Sequence, residues 1–174
     1  MRESYRFVAV AAAAMMVILI APASSSAGDA NAKWTFMVYL DADNNLESYG
    51  IMNLEWLQDV GSDANVKFVV LLDTYGEPAD LLYVEKGFST SVDGYGYPKE
   101  VNMADPAVLE EFIEICCDEY PADRYALVLW DHGGGWRGLC WDDTTYEETG
   151  IDDCISMVEL RDAVEGAYEY TGEV

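Results

Sequence analysis

Short apolar runs alternate with amphipathic helical patterns along most of the chain, and this alternation limits the fold more than any other feature. Three runs have the length and composition of buried strands: Trp34–Leu40, Val66–Leu72 and Tyr125–Trp130. A helical pattern follows each of them, beginning near Asn44 or Asn45, at Pro106 and after Ser156. This order predicts an α/β fold, in which a mostly parallel sheet carries helices on both faces.

Local signals mark where these helices begin. Asp105 precedes Pro106, which is the usual order of a capping residue and the first helical residue. Ser156 and Glu159 have the spacing of a capping box. Leu81–Val84 and the Gly-rich stretch 87–97 predict a short hairpin or an irregular connection, and 131–155 predicts a loop. Three parallel strands make a thin sheet, so we expect an incomplete domain, the amino-terminal part of a longer protein.

Composition and charge narrow the classes of partner. The chain has 174 residues, 51% of them hydrophobic, which supplies enough apolar surface for a folded core. Its formal charge is -24, with 33 acidic and 9 basic residues. Nucleic acid and anionic lipid are therefore excluded as partners, because phosphate binding needs clustered Lys and Arg. A cationic partner or substrate would be attracted.

The first 27 residues have the parts of a secretory signal peptide. Arg2 and Arg6 precede an apolar run, Phe7–Ala21, and small residues follow as far as Ala27. The run is shorter than the ~20 residues that a membrane span needs. We expect cleavage after Ala27, a folded domain over 28–174 and a secreted, extracytoplasmic protein without a membrane contact. An uncleaved amino-terminal anchor is the alternative.

The clearest candidate for a catalytic segment directly follows the third apolar run. Residues 127–136 read LVLWDHGGGW, so a buried strand delivers His132, the only histidine, to the carboxyl edge of the sheet. Open α/β sheets place their sites at that edge. Histidine exchanges a proton near neutral pH, and Gly133 offers an unobstructed N–H to a developing oxyanion. A hydrogen-bonded structural histidine is the competing interpretation.

Two segments together carry a family resemblance: WTFMVYLDADNNLE at 34–47 and LVLWDHGGGW at 127–136. In this order and spacing they resemble the clostripain family of cysteine peptidases. The resemblance implies a caspase-like sandwich fold, with His132 as the catalytic histidine and the N–H of Gly133 at the oxyanion. It also implies cleavage after Arg or Lys in protein or peptide substrates, and it allows calcium as a cofactor, since some members need it.

The nucleophilic cysteine of such a peptidase is expected after a further strand, past Val174. The remaining carboxyl-terminal part of the protein is therefore an expected partner, and this chain alone is expected to be inactive. Cys140 lacks a strand to hold it, and Cys154 lies among carboxylates that disfavour a thiolate. Cys116 and Cys117 are adjacent in a helical pattern and are assigned to the core. Whether any of the four forms a disulfide stays open, and no C-x-x-C pair suggests zinc.

Acidic segments offer weaker metal signals. Residues 41–47 superficially resemble a calcium loop, but the sixth position lacks Gly and Met52 occupies the twelfth, so helix capping is the preferred interpretation. A looser acidic group occupies the later loop, and no ligand set can be named in it: Asp142, Asp143, Asp152 and Asp153. No metal ligand is therefore assigned.

The function expected from the sequence is that of an exported clostripain-type cysteine endopeptidase that lacks its downstream nucleophile. The alternative is a secreted, acidic binding or adhesion module that keeps the fold of a peptidase without its chemistry.

Overall fold

A computed structural model describes residues 32–95 and 100–172 of the chain. The predicted signal peptide, 1–27, lies outside the described residues. Helices and strands follow one another in this order: β1 (Trp34–Ala42), α1 (Glu47–Val60), β2 (Val66–Thr74), β3 (Glu77–Glu85), β4 (Phe88–Ser91), α2 (Pro106–Glu119), β5 (Tyr125–Trp130), α3 (Asp143–Thr149) and α4 (Met157–Thr171).

The strands form one five-stranded sheet in the order β4-β3-β2-β1-β5. The three predicted strands make its parallel part, with β1 between β2 and β5. The register pairs Asp41 of β1 with Asp73 of β2, so two carboxyl groups end neighbouring strands side by side. Because all three parallel strands run the same way, their carboxyl ends share one edge of the sheet.

Two antiparallel strands extend the sheet beyond the prediction. The sequence indicated only a short hairpin or an irregular connection, whereas β3 has nine residues and pairs with β2 along most of its length. Pro78 and Asp80 interrupt the apolar pattern of β3, which concealed its length. The sheet is therefore mixed, with a parallel half that carries the histidine and an antiparallel half next to β2.

Helices cover both faces, as predicted. On one face, α1 packs Leu54 against a cluster that includes Val38 and Leu40 of β1. On the other face, α2 and α4 cover the larger core, where Phe112 lies against the ring of Tyr39 with centroids 5.8 Å apart. Each fully buried side chain of this size contributes about 1.5–3 kcal/mol of hydrophobic free energy. Burial on both faces explains why β1 and β2 are mostly apolar, whereas β5 lies at the edge of the sheet and is only partly buried.

The helix starts agree with two of the three predictions. The Asp105 side chain accepts a hydrogen bond from the N–H of Ala107 at 2.9 Å, and Ser156 forms the complete capping box. The capping role expected for Asn44 or Asn45 is wrong, because the residue before α1 is Leu46, which makes no side-chain cap. The asparagines instead contact the segment after β5.

Within the described ranges, no helix combines the length and the apolar composition that crossing a bilayer requires.

Candidate functional site

His132 lies at the carboxyl edge of the sheet, directly after β5. Its Nε2 lies 2.8 Å from Oδ1 of Asn45, which belongs to the segment after β1. That oxygen can only accept, so the contact is a hydrogen bond in the tautomer that carries its proton on Nε2 and its lone pair on Nδ1. The imidazole is exposed. The sequence therefore placed this side chain correctly, and the structure adds the residue that orients it.

Asp131 ties the histidine segment to its neighbours. One carboxylate oxygen accepts a hydrogen bond from Nδ2 of Asn44 at 2.7 Å, and the other accepts from the N–H of Trp141 at 2.7 Å. Burial raises the pKa of Asp131, while these N–H donors act in the opposite direction. Asn44 also accepts from the N–H of Leu46 at 2.8 Å. The segments after β1 and β5 thus hold each other in place.

The glycine segment makes a narrow turn beside the histidine. The N–H of Gly134 donates to the carbonyl of Gly138 at 2.8 Å, and Gly135 has a φ of 66°, which favours glycine. Gly133 is exposed, and a Cβ placed there would meet nothing within 4 Å. No hydrogen bond among the described residues uses its N–H. Trp136 is 85% exposed at the tip of the turn.

The cysteines are poorly placed to act as nucleophiles. Three of them are buried, and all four are free thiols in the structure. Burial is the main cause that raises the pKa of Cys116, Cys140 and Cys154, and nearby acidic side chains raise the latter two further. Cys140 is fully buried, so its expected exclusion as a nucleophile agrees with its surroundings. Since attack requires a thiolate, none of these thiols is suited to it.

A group of carboxylates lies at the same edge of the sheet. Asp43, Asp73, Glu100 and Asp142 each contribute one oxygen to a set whose members all lie within 4.8 Å of one another. We call these four residues the carboxylate cluster. The sequence singled out Asp142, and it considered Asp43 only within the segment 41–47, for which helix capping was preferred. The other acidic residues named with Asp142 in the later loop are exposed. The cluster depends on strand order and on the packing of α3, which local spacing does not reveal.

Burial and mutual repulsion raise the pKa values of Asp43, Asp73 and Glu100. Burial is the largest cause for each, and the pKa rises to about 6 for Asp43, about 9 for Asp73 and about 7 for Glu100. Beside the cluster, Asp41 is fully buried, and burial with the negative charge of Asp131 raises its pKa to about 10. In the sequence, an Asp directly follows each of the apolar runs 34–40 and 66–72, and these are Asp41 and Asp73.

Comparison with known proteins assigns the family. The pattern of the clostripain family matches residues 38–171. The chain belongs to the clostripain family. Clostripain from Hathewaya histolytica is 33% identical over 170 residues, a match that covers 80% of this chain and 32% of that protein. The clostripain-family chain thus spans about a third of the length of this relative, and its relationship to cysteine peptidases is established.

Solved structures agree with this clostripain fold. A secreted C11 cysteine protease from Bacteroides thetaiotaomicron, in complex with an irreversible peptide inhibitor, has a TM-score of 0.63. It is 24% identical, with 78% of this chain and 39% of that chain covered, so the likeness concerns the fold alone. An inactive zymogen of a C11 protease from Parabacteroides distasonis has a TM-score of 0.58 and 25% identity, over 76% of this chain and 38% of its own. The caspase-like fold expected from the sequence is confirmed.

Proposed function

We propose that this chain is the histidine-bearing part of an exported cysteine endopeptidase that cleaves after Arg or Lys. His132 is the catalytic histidine, and the N–H of Gly133 stabilises the oxyanion. The observation that carries the proposal is the exposed imidazole at the end of β5, held by Asn45 in an orientation that leaves Nδ1 able to accept a proton. A structural histidine would more often be buried with both nitrogens occupied.

The proposed chemistry uses that nitrogen twice. Nδ1 takes the proton of a cysteine thiol, and the thiolate attacks the peptide carbonyl to form a tetrahedral oxyanion. The C–N bond then breaks, the imidazolium gives its proton to the leaving amine, and an acyl-enzyme remains. A water molecule, deprotonated by the same imidazole, hydrolyses this thioester and releases the carboxylic acid. Gly133 supports both tetrahedral states, because its N–H is exposed and has no partner within the described residues.

The nucleophile is proposed to come from the carboxyl-terminal part of the same protein, beyond residue 174. Three of the four thiols in this chain are buried, and Cys154 has a raised pKa that carboxylates such as Asp153 push further upward. A sulfur carried by a further strand beside β5 would reach the edge of the sheet where His132 lies. The separate chain is accordingly proposed to be inactive.

Substrate and location rest on weaker support. The formal charge of -24 favours a basic substrate, and the preference for Arg or Lys comes from the family resemblance. A related C11 protease is described as secreted, which supports export of this chain.

The test uses the intact protein that contains this chain, purified after export. Peptide reporters ending in Arg or Lys should be cleaved, whereas reporters ending in Asp or Leu should not. His132→Ala should lower kcat/KM by about 10²–10⁴-fold, the usual contribution of a general base. The matched controls, Cys140→Ser and Cys154→Ser, should keep their activity if they stay folded. Normal cleavage by a folded His132→Ala protein would overturn the proposal.

A second candidate is an acidic, secreted binding or adhesion module with an inactive peptidase fold. The burial of three thiols and the raised pKa of the partly exposed Cys154 favour it, because they leave no cysteine of the chain suited to attack. It becomes the preferred function if the intact protein contains no further cysteine and cleaves no reporter.

A further inference from the structure

Two pairs of side chains join the segment after β1 to the segment after β5. Asn44 donates from Nδ2 to Oδ1 of Asp131 at 2.7 Å. The next residue of each segment forms the second pair, in which Oδ1 of Asn45 lies 2.8 Å from Nε2 of His132. Because the paired residues are consecutive in both segments, a shift of Asn44 relative to Asp131 would also move the amide that orients the imidazole.

The amide of Asn44 has one orientation that fits its surroundings. Its Oδ1 accepts a hydrogen bond from the N–H of Leu46 at 2.8 Å, so Nδ2 is the atom that faces Asp131. The same Nδ2 lies 3.3 Å from the carbonyl oxygen of Asp41, and Asn44 is 7% exposed. Since Nδ2 can only donate, the group opposite it must accept. The carboxylate of Asp131 meets this requirement.

The second oxygen of Asp131 closes the glycine turn. It accepts from the N–H of Trp141 at 2.7 Å, at the far end of the turn, and within the turn Gly133 and Leu139 form an antiparallel bridge. Burial raises the pKa of Asp131, and the N–H of His132 opposes this rise, which places it close to the same carboxylate. One side chain thus holds both ends of the segment that presents the imidazole and the glycine N–H.

We infer that Asp131 is a positioning residue for His132 and for the N–H of Gly133. It orients the imidazole through the two side-chain pairs, and it fixes the glycine N–H by closing the turn. The inference rests on the proposed peptidase function. In the proposed chemistry Asp131 touches neither the thiol nor the peptide bond, so it acts only through the groups that it holds.

Replacing the carboxylate by an amide tests this role, because Asp131→Asn keeps the shape of the side chain. The amide accepts through one oxygen, and its NH₂ group then faces a donor, either Nδ2 of Asn44 or the N–H of Trp141. One of the two hydrogen bonds is therefore lost. In the intact protein kcat should fall about 10–100-fold, because a misplacement of about 1 Å costs about 10²-fold in rate. KM for the Arg or Lys reporter should change less than about threefold, since Asp131 is not in contact with the substrate.

Exchanging the two residues provides a specific rescue. Asn44→Asp alone puts a second carboxylate opposite Asp131, so kcat should again fall at least about tenfold. In the double variant, the carboxylate at position 44 accepts from the amide at position 131 and from the N–H of Leu46. The amide oxygen at position 131 still accepts from the N–H of Trp141. We expect kcat of the double variant within about fivefold of the unmodified protein, so the two substitutions should be strongly non-additive.

Asp63→Asn is the matched control. Asp63 also accepts from backbone N–H groups, those of Asn65 at 2.7 Å and Val66 at 2.9 Å, but both bonds go to one oxygen, which an amide keeps. The residue precedes β2, at the opposite end of the sheet from His132. Asp63→Asn should therefore have the kcat and KM of the unmodified protein.

A second variant keeps the test decisive if Asp131→Asn does not fold. Asn44→Ala removes the same hydrogen bond from the other side and leaves Asp131 bound to Trp141. It should lower kcat about 3–10-fold, the contribution of one hydrogen bond. Circular dichroism and Tm identify the folded variants, and rates are compared well below the lowest Tm.

Two results would overturn the inference and leave the proposed function intact. One is a kcat within about threefold of the unmodified protein in both Asp131→Asn and Asn44→Ala, or in Asn44→Ala alone if Asp131→Asn is unfolded. The other is a folded double variant no more active than either single variant, since the loss of activity would then not depend on this hydrogen bond. An unmodified protein that cleaves no reporter, or normal cleavage by His132→Ala, would instead refute the proposed function, and this inference with it.

Discussion

Two glycines inside helices should respond in opposite ways to the same substitution. Gly50 of α1 is buried against β1, and a Cβ added there would lie 2.7 Å from the Cβ of Ala42 and 2.9 Å from Cδ2 of Leu40. Real Cβ atoms essentially never approach closer than 3.0 Å. Because the Cβ of Ala42 is fixed to the central strand, α1 must move outward in Gly50→Ala.

The magnitude follows from two opposing contributions. Replacing Gly by Ala in a helix gains about 1 kcal/mol of helix propensity. Forcing an extra methyl group into a packed interface costs about 1–3 kcal/mol. For Gly50→Ala the sum is a loss of about 1 kcal/mol of unfolding free energy, since both close contacts are to β1.

Gly166→Ala in α4 is the matched comparison. Its added Cβ would lie 2.3 Å from Oε1 of Glu110, which is the end of a flexible side chain that can turn toward solvent. The gain in helix propensity should therefore dominate, and Gly166→Ala should be about 0.5–1 kcal/mol more stable than the unmodified chain. The two variants should differ by about 2 kcal/mol, and by about 4–8 °C in Tm.

Urea unfolding followed by circular dichroism measures both changes under the same conditions. Equal slopes with different midpoints would indicate that only stability has changed. The reasoning would be refuted if Gly50→Ala were as stable as Gly166→Ala or more stable, because the close approach of α1 to β1 would then not limit the size of residue 50.

Three further outcomes are expected. In the intact peptidase, Asn45→Ala should lower kcat/KM by about 3–10-fold, the contribution of one hydrogen bond to His132, with little change in Tm. Trp136→Ala should change the unfolding free energy by less than about 0.5 kcal/mol, because the ring is exposed. A raised KM of this variant for peptide reporters would indicate that Trp136 contacts the substrate. Ser156→Ala should cost about 1 kcal/mol at pH 7. Hydrogen bonds from Ser156 lower the pKa of Glu159 below its usual value of 4.5. The stability that this pair contributes to the fold is therefore present above pH 4.5, and it is lost as the pH falls through the lowered pKa. Unfolding curves at pH 7 and pH 3 should therefore show a smaller effect of Ser156→Ala in acid.

The parallel half of the sheet could be predicted because β1 and β2 are largely buried on both faces and β5 has a similar apolar composition. Apolar residues such as Val38 and Val70 dominate their runs, and a short, mostly apolar run of this kind has few alternatives. The antiparallel strand β3 was only partly predicted, since Pro78 and Asp80 break its pattern. What stabilises β3 is its pairing with β2, which a local pattern does not contain.

The residues of the candidate site were also predicted only in part. His132 was found from the sequence because an apolar strand, a histidine and three glycines are adjacent in the chain. The partner of its ring, Asn45, was assigned to helix capping, because capping is the commoner local role of such a residue. The carboxylate cluster was missed since Asp73 and Asp142 meet only through strand order and the placement of α3.

The single imidazole of this chain also provides a spectroscopic probe. With ¹⁵N-labelled histidine, the 174-residue chain should give one pair of ring-nitrogen resonances, which need no assignment. Their chemical shifts distinguish the protonated nitrogen from the bare one, and a ring that donates from Nε2 to Asn45 predicts which is which. The same two signals would report directly when a ligand, a cation or a neighbouring polypeptide changes the surroundings of that ring.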